Sequence, residues 1–265
     1  MSGCITRRRF INRVAGQTAA CALGIPLFSR SALGRSVSPN DKISLGFIGV
    51  GGMGSQHLRV LLRNPEVHVR AVCDVFESHR LKAKDRVDVT YNNQDCEAYN
   101  DFRALLDRDD VDAIVIATPD HWHVSVSIMA CKAGKDVYSE KPLTHTINEG
   151  KALVRAVRRY GRVFQTGTQQ RSSREFRFAC ELARRGKLGK IHTAELHLPP
   201  GGSRDWTPDL APPPELDWDM WLGPAPRSPF NPAKHPGGFR FFWDYSGGAL
   251  TDWGAHHSDI AQWGL

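Results

Sequence analysis

The sequence predicts an α/β protein: a doubly wound parallel sheet over residues 41–167, followed by the start of a second, incomplete α/β domain over residues 168–265. Three observations predict it. Short apolar runs rich in β-branched residues alternate with helical stretches at the spacing of βαβ units. The first run, Ile43 to Val50, passes directly into a glycine-rich turn and then a helical stretch, Ser55 to Leu62. After Gly167 the alternation ends. Eleven of the sixteen prolines then fall between Pro199 and Pro236, beside Trp206, Trp218 and Trp221.

Residues 1–35 stand apart. They hold six of the 35 basic residues (Arg7, Arg8, Arg9, Arg13, Arg30 and Arg35) and no acid, which leaves 29 basic against 28 acidic residues in the remainder. The net charge of +7 is therefore concentrated in the head, and no basic face remains to track nucleic-acid phosphates. Thr6-Arg7-Arg8-Arg9-Phe10-Ile11 matches the twin-arginine export pattern, with a weakly apolar stretch from Val14 to Phe28 behind it. That stretch is too short for a secure membrane span. The expectation is an exported, periplasmic protein handled by the twin-arginine machinery, with cleavage near Ala32-Leu33-Gly34. Ala19-Ala20-Cys21 resembles a lipoprotein site, but the apolar run continues past it, which argues against anchoring. A disordered basic arm explains the same charges without export.

The turn after the first strand reads Gly49-Val50-Gly51-Gly52-Met53-Gly54. Gly49 permits the tight turn, Gly51 lets backbone approach a pyrophosphate, and Gly54 lets helix and strand pack closely. The diphosphate would meet the free N–H groups at the helix N-terminus. Twenty residues past Gly54, Asp74 ends the β-like run His68 to Asp74, where a carboxylate accepts the adenosine ribose hydroxyls. Val75 and Phe76 follow it, without the Arg or Lys that a 2′-phosphate would need, so NAD is expected rather than NADP.

Ser78 to Val87 then reads as a helix, Tyr91 to Tyr99 as a polar loop and Asp101 to Leu106 as a short helix. Val111 to Ala117 is a buried strand ending in Thr118-Pro119-Asp120, and Trp122 to Gly134 a helix stopped by its glycine. Asp136 to Glu140 and Val163 to Thr166 are further strands, separated by a basic amphipathic helix, Ile147 to Tyr160. Beyond them, Ser173 to Arg185 reads as a helix and Lys190 to Leu198 alternates as a strand of a second sheet. The Pro- and Trp-rich stretch is an ordered loop, since disordered segments are poor in such aromatics. Gly247-Gly248 leads into an amphipathic helix, Ala249 to Trp263. Four cysteines lie after the head (Cys73, Cys96, Cys131 and Cys180), too widely spaced for a zinc site or a compact disulfide framework.

Three stretches carry chemistry besides the glycine turn. Ser139-Glu140-Lys141-Pro142 closes a strand at the carboxyl edge of the sheet, where ligands collect in open α/β folds. Proline turns the chain out of the sheet and leaves Lys141 at the lip, able to stabilise charge on a substrate oxygen. From local sequence alone a solvated strand-end lysine is the favoured reading. Asp252, His256 and Asp259 fall on one face of the last helix, an acid/base arrangement for an imidazole. Adding His121 and His123 gives a metal reading, but without a zinc spacing, so no metal is expected. Thr118-Pro119-Asp120-His121-Trp122-His123 would line the nicotinamide half, although Asp120 as a helix cap explains that residue too.

Taken in order, these pieces resemble the Gfo/Idh/MocA oxidoreductases. The matching residues are Gly49 to Gly54, Cys73-Asp74, Thr118-Pro119 followed by His123, Glu140-Lys141-Pro142, and Asp252-x-x-x-His256-x-x-Asp259. The resemblance covers residues 43–265 and implies a Rossmann domain followed by an α/β domain with an open mixed sheet over the active site. It implies that Gly49, Gly51, Gly52, Met53, Gly54, Asp74, Thr118, Pro119, His123, Glu140 and Lys141 bind the cofactor. Lys141 would polarise the reacting hydroxyl, His256 act as general base and Asp252 support it. The implied reaction is hydride transfer between nicotinamide and a carbinol carbon of a sugar, sugar derivative or cyclitol. One alternative keeps a tightly bound, recycling NAD and makes the net reaction a redox-assisted glycoside cleavage or elimination. Another is a non-catalytic dinucleotide-binding fragment.

Two departures are visible. The family's Thr-Pro-Asn is Thr118-Pro119-Asp120 here, and family members continue well past the Asp-x-x-x-His helix, so the resemblance implies a truncated product or a fragment. Family members commonly form dimers or tetramers through the second sheet, which leaves a homo-oligomer open.

Overall fold

The computed structural model describes residues 41–201, 207–235 and 237–265. The twin-arginine head and Trp206 lie outside the described residues. Six strands form one sheet: β1 (Ile43–Ile48), β2 (Val67–Cys73), β3 (Glu97–Tyr99), β4 (Ala113–Ile116), β5 (Asp136–Glu140) and β6 (Phe164–Gly167). All pairs are parallel, in the order β3-β2-β1-β4-β5-β6. The connecting helices are α1 (Gly52–Leu61), α2 (Glu77–Tyr91), α3 (Phe102–Leu106), α4 (Asp120–Lys132) and α5 (Ile147–Tyr160). This order reverses direction between β1 and β4, and that switch point opens the crevice in which dinucleotides bind.

The sheet is buried on both faces, and the two-residue period of the strands explains how. Leu45, Phe47, Val69 and Val115 turn to one face and pack with Leu58, Ala83 and Val87. Ile48, Ile114 and Ile116 turn to the other and pack with Leu105, Val126 and Cys131; Ala71 joins them, although two residues from Val69, because the β1–β2 register shifts at Leu45/Gly46, skipping Arg70 on β2 and resetting its alternation. Each fully buried Leu, Ile or Val contributes about 1.5–3 kcal/mol, so the strands read as continuous apolar runs. Helix boundaries follow local chemistry. Thr146 and Glu149 form a capping box at the start of α5, and Gly161 ends it at φ 61°.

Two local expectations are corrected. Tyr91 to Tyr99, expected as loop, ends in the short strand β3, because the exposed edge of β2 supplies a ladder for Glu97–Tyr99. Lys190 to Leu198, expected as a strand, forms none. Its alternation has no neighbouring strand among the described residues to pair with, and an extended segment without a ladder is not a strand.

After Gly167 the α-helices are α6 (Arg174–Arg184), α7 (Trp218–Leu222) and α8 (Gly248–Gly264), joined by long irregular segments. α6 and α8 pack together through buried Cys180, whose thiol donates to the Ile260 carbonyl at 3.6 Å. The Pro- and Trp-rich stretch contributes Leu216, Trp218, Trp221, Leu222 and Phe230 to an apolar cluster completed by Phe239 and Tyr245, against Val75 and Phe76. Trp218 and Trp221 stack at 4.5 Å between centroids. Cys73, Cys96, Cys131 and Cys180 are all buried free thiols. Among the described residues no helix is long and apolar enough to cross a membrane.

Candidate active site

The glycine turn sits at the switch point. Gly49 has φ +83°, and a Cβ there would lie 2.6 Å from the Ala117 carbonyl oxygen. A Cβ on Gly54 would lie 1.9 Å from the Gly49 carbonyl oxygen, whereas one on Gly52 would meet nothing within 4 Å. Gly49 and Gly54 are therefore required by packing, and Gly52 leaves open space above the first turn of α1. That turn offers N–H groups with no partner inside the helix.

A cleft of about 320 Å³ runs from this turn across the carboxyl ends of the strands. Gly49, Gly51, Gly52, Met53, Asp74, Thr118, Pro119, Glu140 and Lys141, all expected from sequence, line it. The Asp74 carboxylate accepts the Val50 N–H at 2.8 Å through one oxygen and the Phe76 N–H at 2.9 Å through the other. Each oxygen keeps a lone pair for a further donor. Thr118 Oγ1 is buried with no hydrogen-bond partner among the described residues. A cradle that side chains would fill, an orphaned hydroxyl and an acceptor at the end of β2 together fit a dinucleotide. Among the described residues no cluster of His, Cys, Asp or Glu is placed to hold a metal ion.

His123 stands elsewhere than expected. It is 1% exposed and lies behind the cleft wall, its two ring nitrogens facing the Pro142 carbonyl at 2.7 Å and the Thr118 carbonyl at 2.9 Å. It ties the end of β4 to the turn after β5 and so positions Thr118 and Lys141. The Lys141–Pro142 bond in that turn is cis. Glu140 is likewise a strut as well as a wall residue: its Oε1 pairs with His57 Nε2 of α1 at 2.6 Å.

Lys141 connects the cleft to α8. Its ammonium donates to an Asp252 carboxylate oxygen and to the Asp252 carbonyl, the latter at 3.3 Å. Arg240 approaches the other Asp252 oxygen at 3.6 Å. His256, one turn along α8, is 7% exposed. Burial, and then the Lys141 charge, push its pKa below the ordinary imidazole value, which keeps it neutral and able to take a proton. Asp252 and His256 stand beside the cleft and join it through Lys141. Asp259 does not join them, because both its oxygens bind Arg171 at 2.7 Å.

Sequence reasoning placed Asp120 along the nicotinamide half or at a helix cap, and left several other cleft residues unassigned. Asp120 is 6% exposed, burial raises its pKa, and it accepts the Ser246 hydroxyl at 2.5 Å. Arg240, Met220, Trp221 and His235 also line the cleft. The clustered tryptophans hinted at a packed segment, but no spacing in the sequence tied it to the glycine turn.

Two family models match this sequence: an oxidoreductase family with an NAD-binding Rossmann fold over residues 43–168, and the C-terminal α/β domain of the same family over residues 201–265. The protein belongs to the Gfo/Idh/MocA oxidoreductase family. Among curated relatives of this Gfo/Idh/MocA member, a glycosyl hydrolase family 109 protein of Shewanella baltica is 28% identical over 194 residues, covering 72% of this chain and 41% of the relative. An alpha-N-acetylgalactosaminidase of Shewanella oneidensis is 26% identical over 197 residues, with the same coverage. The chain thus spans about two fifths of the length of these relatives. Among solved structures, scyllo-inositol dehydrogenase of Lactobacillus casei with bound NAD(H) and scyllo-inositol matches with TM-score 0.52 and 26% identity, over 57% of this chain and 43% of that one. The family match, an NAD-binding Rossmann fold over the residues that build the glycine turn, supports NAD as the cofactor.

Proposed function

We propose that this protein passes a hydride between NAD and a carbinol carbon of a sugar, sugar derivative or cyclitol. The observation that carries the reading is the Lys141 ammonium, which lines the cleft of the glycine turn and grips Asp252 one helical turn from His256. When bound, NAD supplies the hydride acceptor at the nicotinamide C4.

The remaining work falls to side chains of this protein. Lys141 is a charged donor at the lip of the cleft, suited to hold a substrate hydroxyl and favour negative charge on its oxygen. His256, neutral through burial, takes the hydroxyl proton. Asp252 fixes the Lys141 amine and keeps a carboxylate near the imidazole. Asp74 accepts ribose hydroxyls, and the Thr118 hydroxyl offers a bond toward the nicotinamide half. The same reading puts the reaction in the periplasm after twin-arginine export, on the strength of Thr6 to Ile11.

A second reading uses the same residues with a different net result. The relatives named glycosyl hydrolase family 109 and alpha-N-acetylgalactosaminidase favour it. Oxidation of the carbinol would acidify the neighbouring C–H, permit elimination of a glycosidic substituent, and be reversed on the same NAD. Product analysis separates the two. A panel of cyclitols and p-nitrophenyl glycosides is incubated with the protein, following absorbance at 340 nm and released phenol. A keto product with stoichiometric NADH supports net oxidation. Phenol release without net NADH supports the recycling reaction. Lys141→Met should lower either rate at least a hundredfold while NAD still binds; undiminished turnover in that variant would remove Lys141 from the chemistry.

A further inference from the structure

The family's NAD-binding model ends at residue 168, yet part of the cleft wall comes from far beyond it. Met220, Trp221, His235, Phe239 and Arg240 line the same cleft as Asp74 and the glycine turn. In a sheet of this order the adenosine half of a dinucleotide lies toward β2, beside the acid at its end. His235 is found there. Its ring lies 5.6 Å from Phe76 and 5.8 Å from Trp221. Asp74 and His79 are near enough to bias its charge, and His79 in turn reaches Asp74 at 3.7 Å.

The segment carrying His235 is fastened on both sides of the switch point. On the β2 side, the Asp217 N–H donates to the Val75 carbonyl at 3.0 Å, and the Glu77 N–H to the Glu215 carbonyl at 2.9 Å. Asn100, just after β3, donates to the Asp217 carboxylate at 2.7 Å. On the β4 side, the Trp122 indole N–H meets the Trp221 carbonyl at 3.0 Å, and His121 Nε2 meets the same carbonyl at 2.9 Å. A Cβ on Gly223 would run into the Trp122 ring at 1.9 Å, so indole and segment are closely fitted. A strap held at both rims is costly to lift, because lifting it breaks these bonds and parts Trp221 from His121, their rings 5.2 Å apart, and His235 from Phe76.

We propose that the strap formed by residues 217–235 and 237–240 is the outer wall of the adenosine subsite, with His235 set against the ribose beside Asp74, and that it slows release of the dinucleotide. This inference rests on the NAD reading of the cleft. It supplies a physical reason for cofactor recycling: a dinucleotide walled in at its adenosine end leaves slowly compared with one lying in an open crevice.

ADP-ribose, which lacks the nicotinamide and takes part in no turnover, is the probe. Calorimetry measures its affinity for the full chain and for His235→Ala, and stopped-flow fluorescence measures NADH displacement by excess NAD from both. The wall predicts affinity at least tenfold weaker and NADH release at least tenfold faster in the variant, with an unchanged circular dichroism spectrum. Values within twofold of the unaltered protein would overturn the wall and leave the NAD reading standing. An unaltered protein that binds neither NADH nor ADP-ribose would overturn both. Hydrogen exchange on the unaltered protein gives a measure independent of the variant's folding. ADP-ribose should protect amides at residues 219–223 and 237–240, and protection of the glycine turn without them would also overturn the proposal.

Discussion

Replacing His121 by Gln isolates one imidazole that the fold holds neutral. His121 is 5% exposed, its Nε2 donates to the Trp221 carbonyl at 2.9 Å, and burial pushes its pKa down to about 4. In the unfolded chain the same group titrates near 6.5. Between those values the unfolded state binds a proton that the folded state refuses. Stability is therefore present in full above pH 6.5 and is lost as the pH falls toward 4. The gap from 6.5 to about 4, at about 1.4 kcal/mol for each pH unit, makes about 3 kcal/mol from this residue. Gln keeps a donor for the Trp221 carbonyl and removes the titration. Urea denaturation of both proteins at about pH 7.5 and pH 4.5 reads the difference. The variant should lie within about 1 kcal/mol of the unaltered protein at the higher pH, since the hydrogen bond is retained. It should lose about 2–3 kcal/mol less than the unaltered protein on acidification. Equal acid losses in the two proteins would refute the claim that a buried neutral imidazole clamps the strap to α4.

Three other outcomes follow from the same geometry. Gly54→Ala places a methyl 1.9 Å from the Gly49 carbonyl oxygen, against backbone that cannot rotate away; it should cost about 1–3 kcal/mol or more of stability and abolish NADH fluorescence enhancement, and a variant that binds NADH normally would contradict the model of the turn. Because burial and Lys141 hold the His256 pKa down, the acid limb of the pH–rate profile should be centred below the ordinary imidazole value; an acid limb centred above 7 would remove His256 as the base. Arg171→Ala breaks a half-exposed pair with Asp259, so thermal unfolding should move by no more than about 1 kcal/mol and turnover should stay unchanged; a large loss of turnover would show that Asp259 belongs to the site after all.

The parallel sheet and its glycine turn were legible because each rests on local pattern. Continuous apolar runs mark strands covered on both faces, and Gly49 and Gly54 are spaced by the geometry of a single turn. Glu140-Lys141-Pro142 was legible for the same reason, as a strand end whose proline forces the chain outward. The roles of His123 and Asp259 were not, since a ring or carboxylate facing a cleft and one facing a strut or Arg171 have the same sequence. The strand expected over Lys190 to Leu198 failed for a related reason: alternation reports which faces could be buried, while a strand also needs a neighbour.

By itself the sequence determined five of the six strands, the dinucleotide turn, Asp74, and the lysine at the sheet's edge, all of which follow from periodicity, glycine sterics and proline. Only the tertiary structure decided that Lys141 meets Asp252, 111 residues away, and that the tryptophan-rich segment crosses back to Val75 and Trp122. These pairings are set by how buried surfaces from distant segments complement one another. That complementarity depends on the assembled shape of both partners, which neither stretch of sequence carries alone.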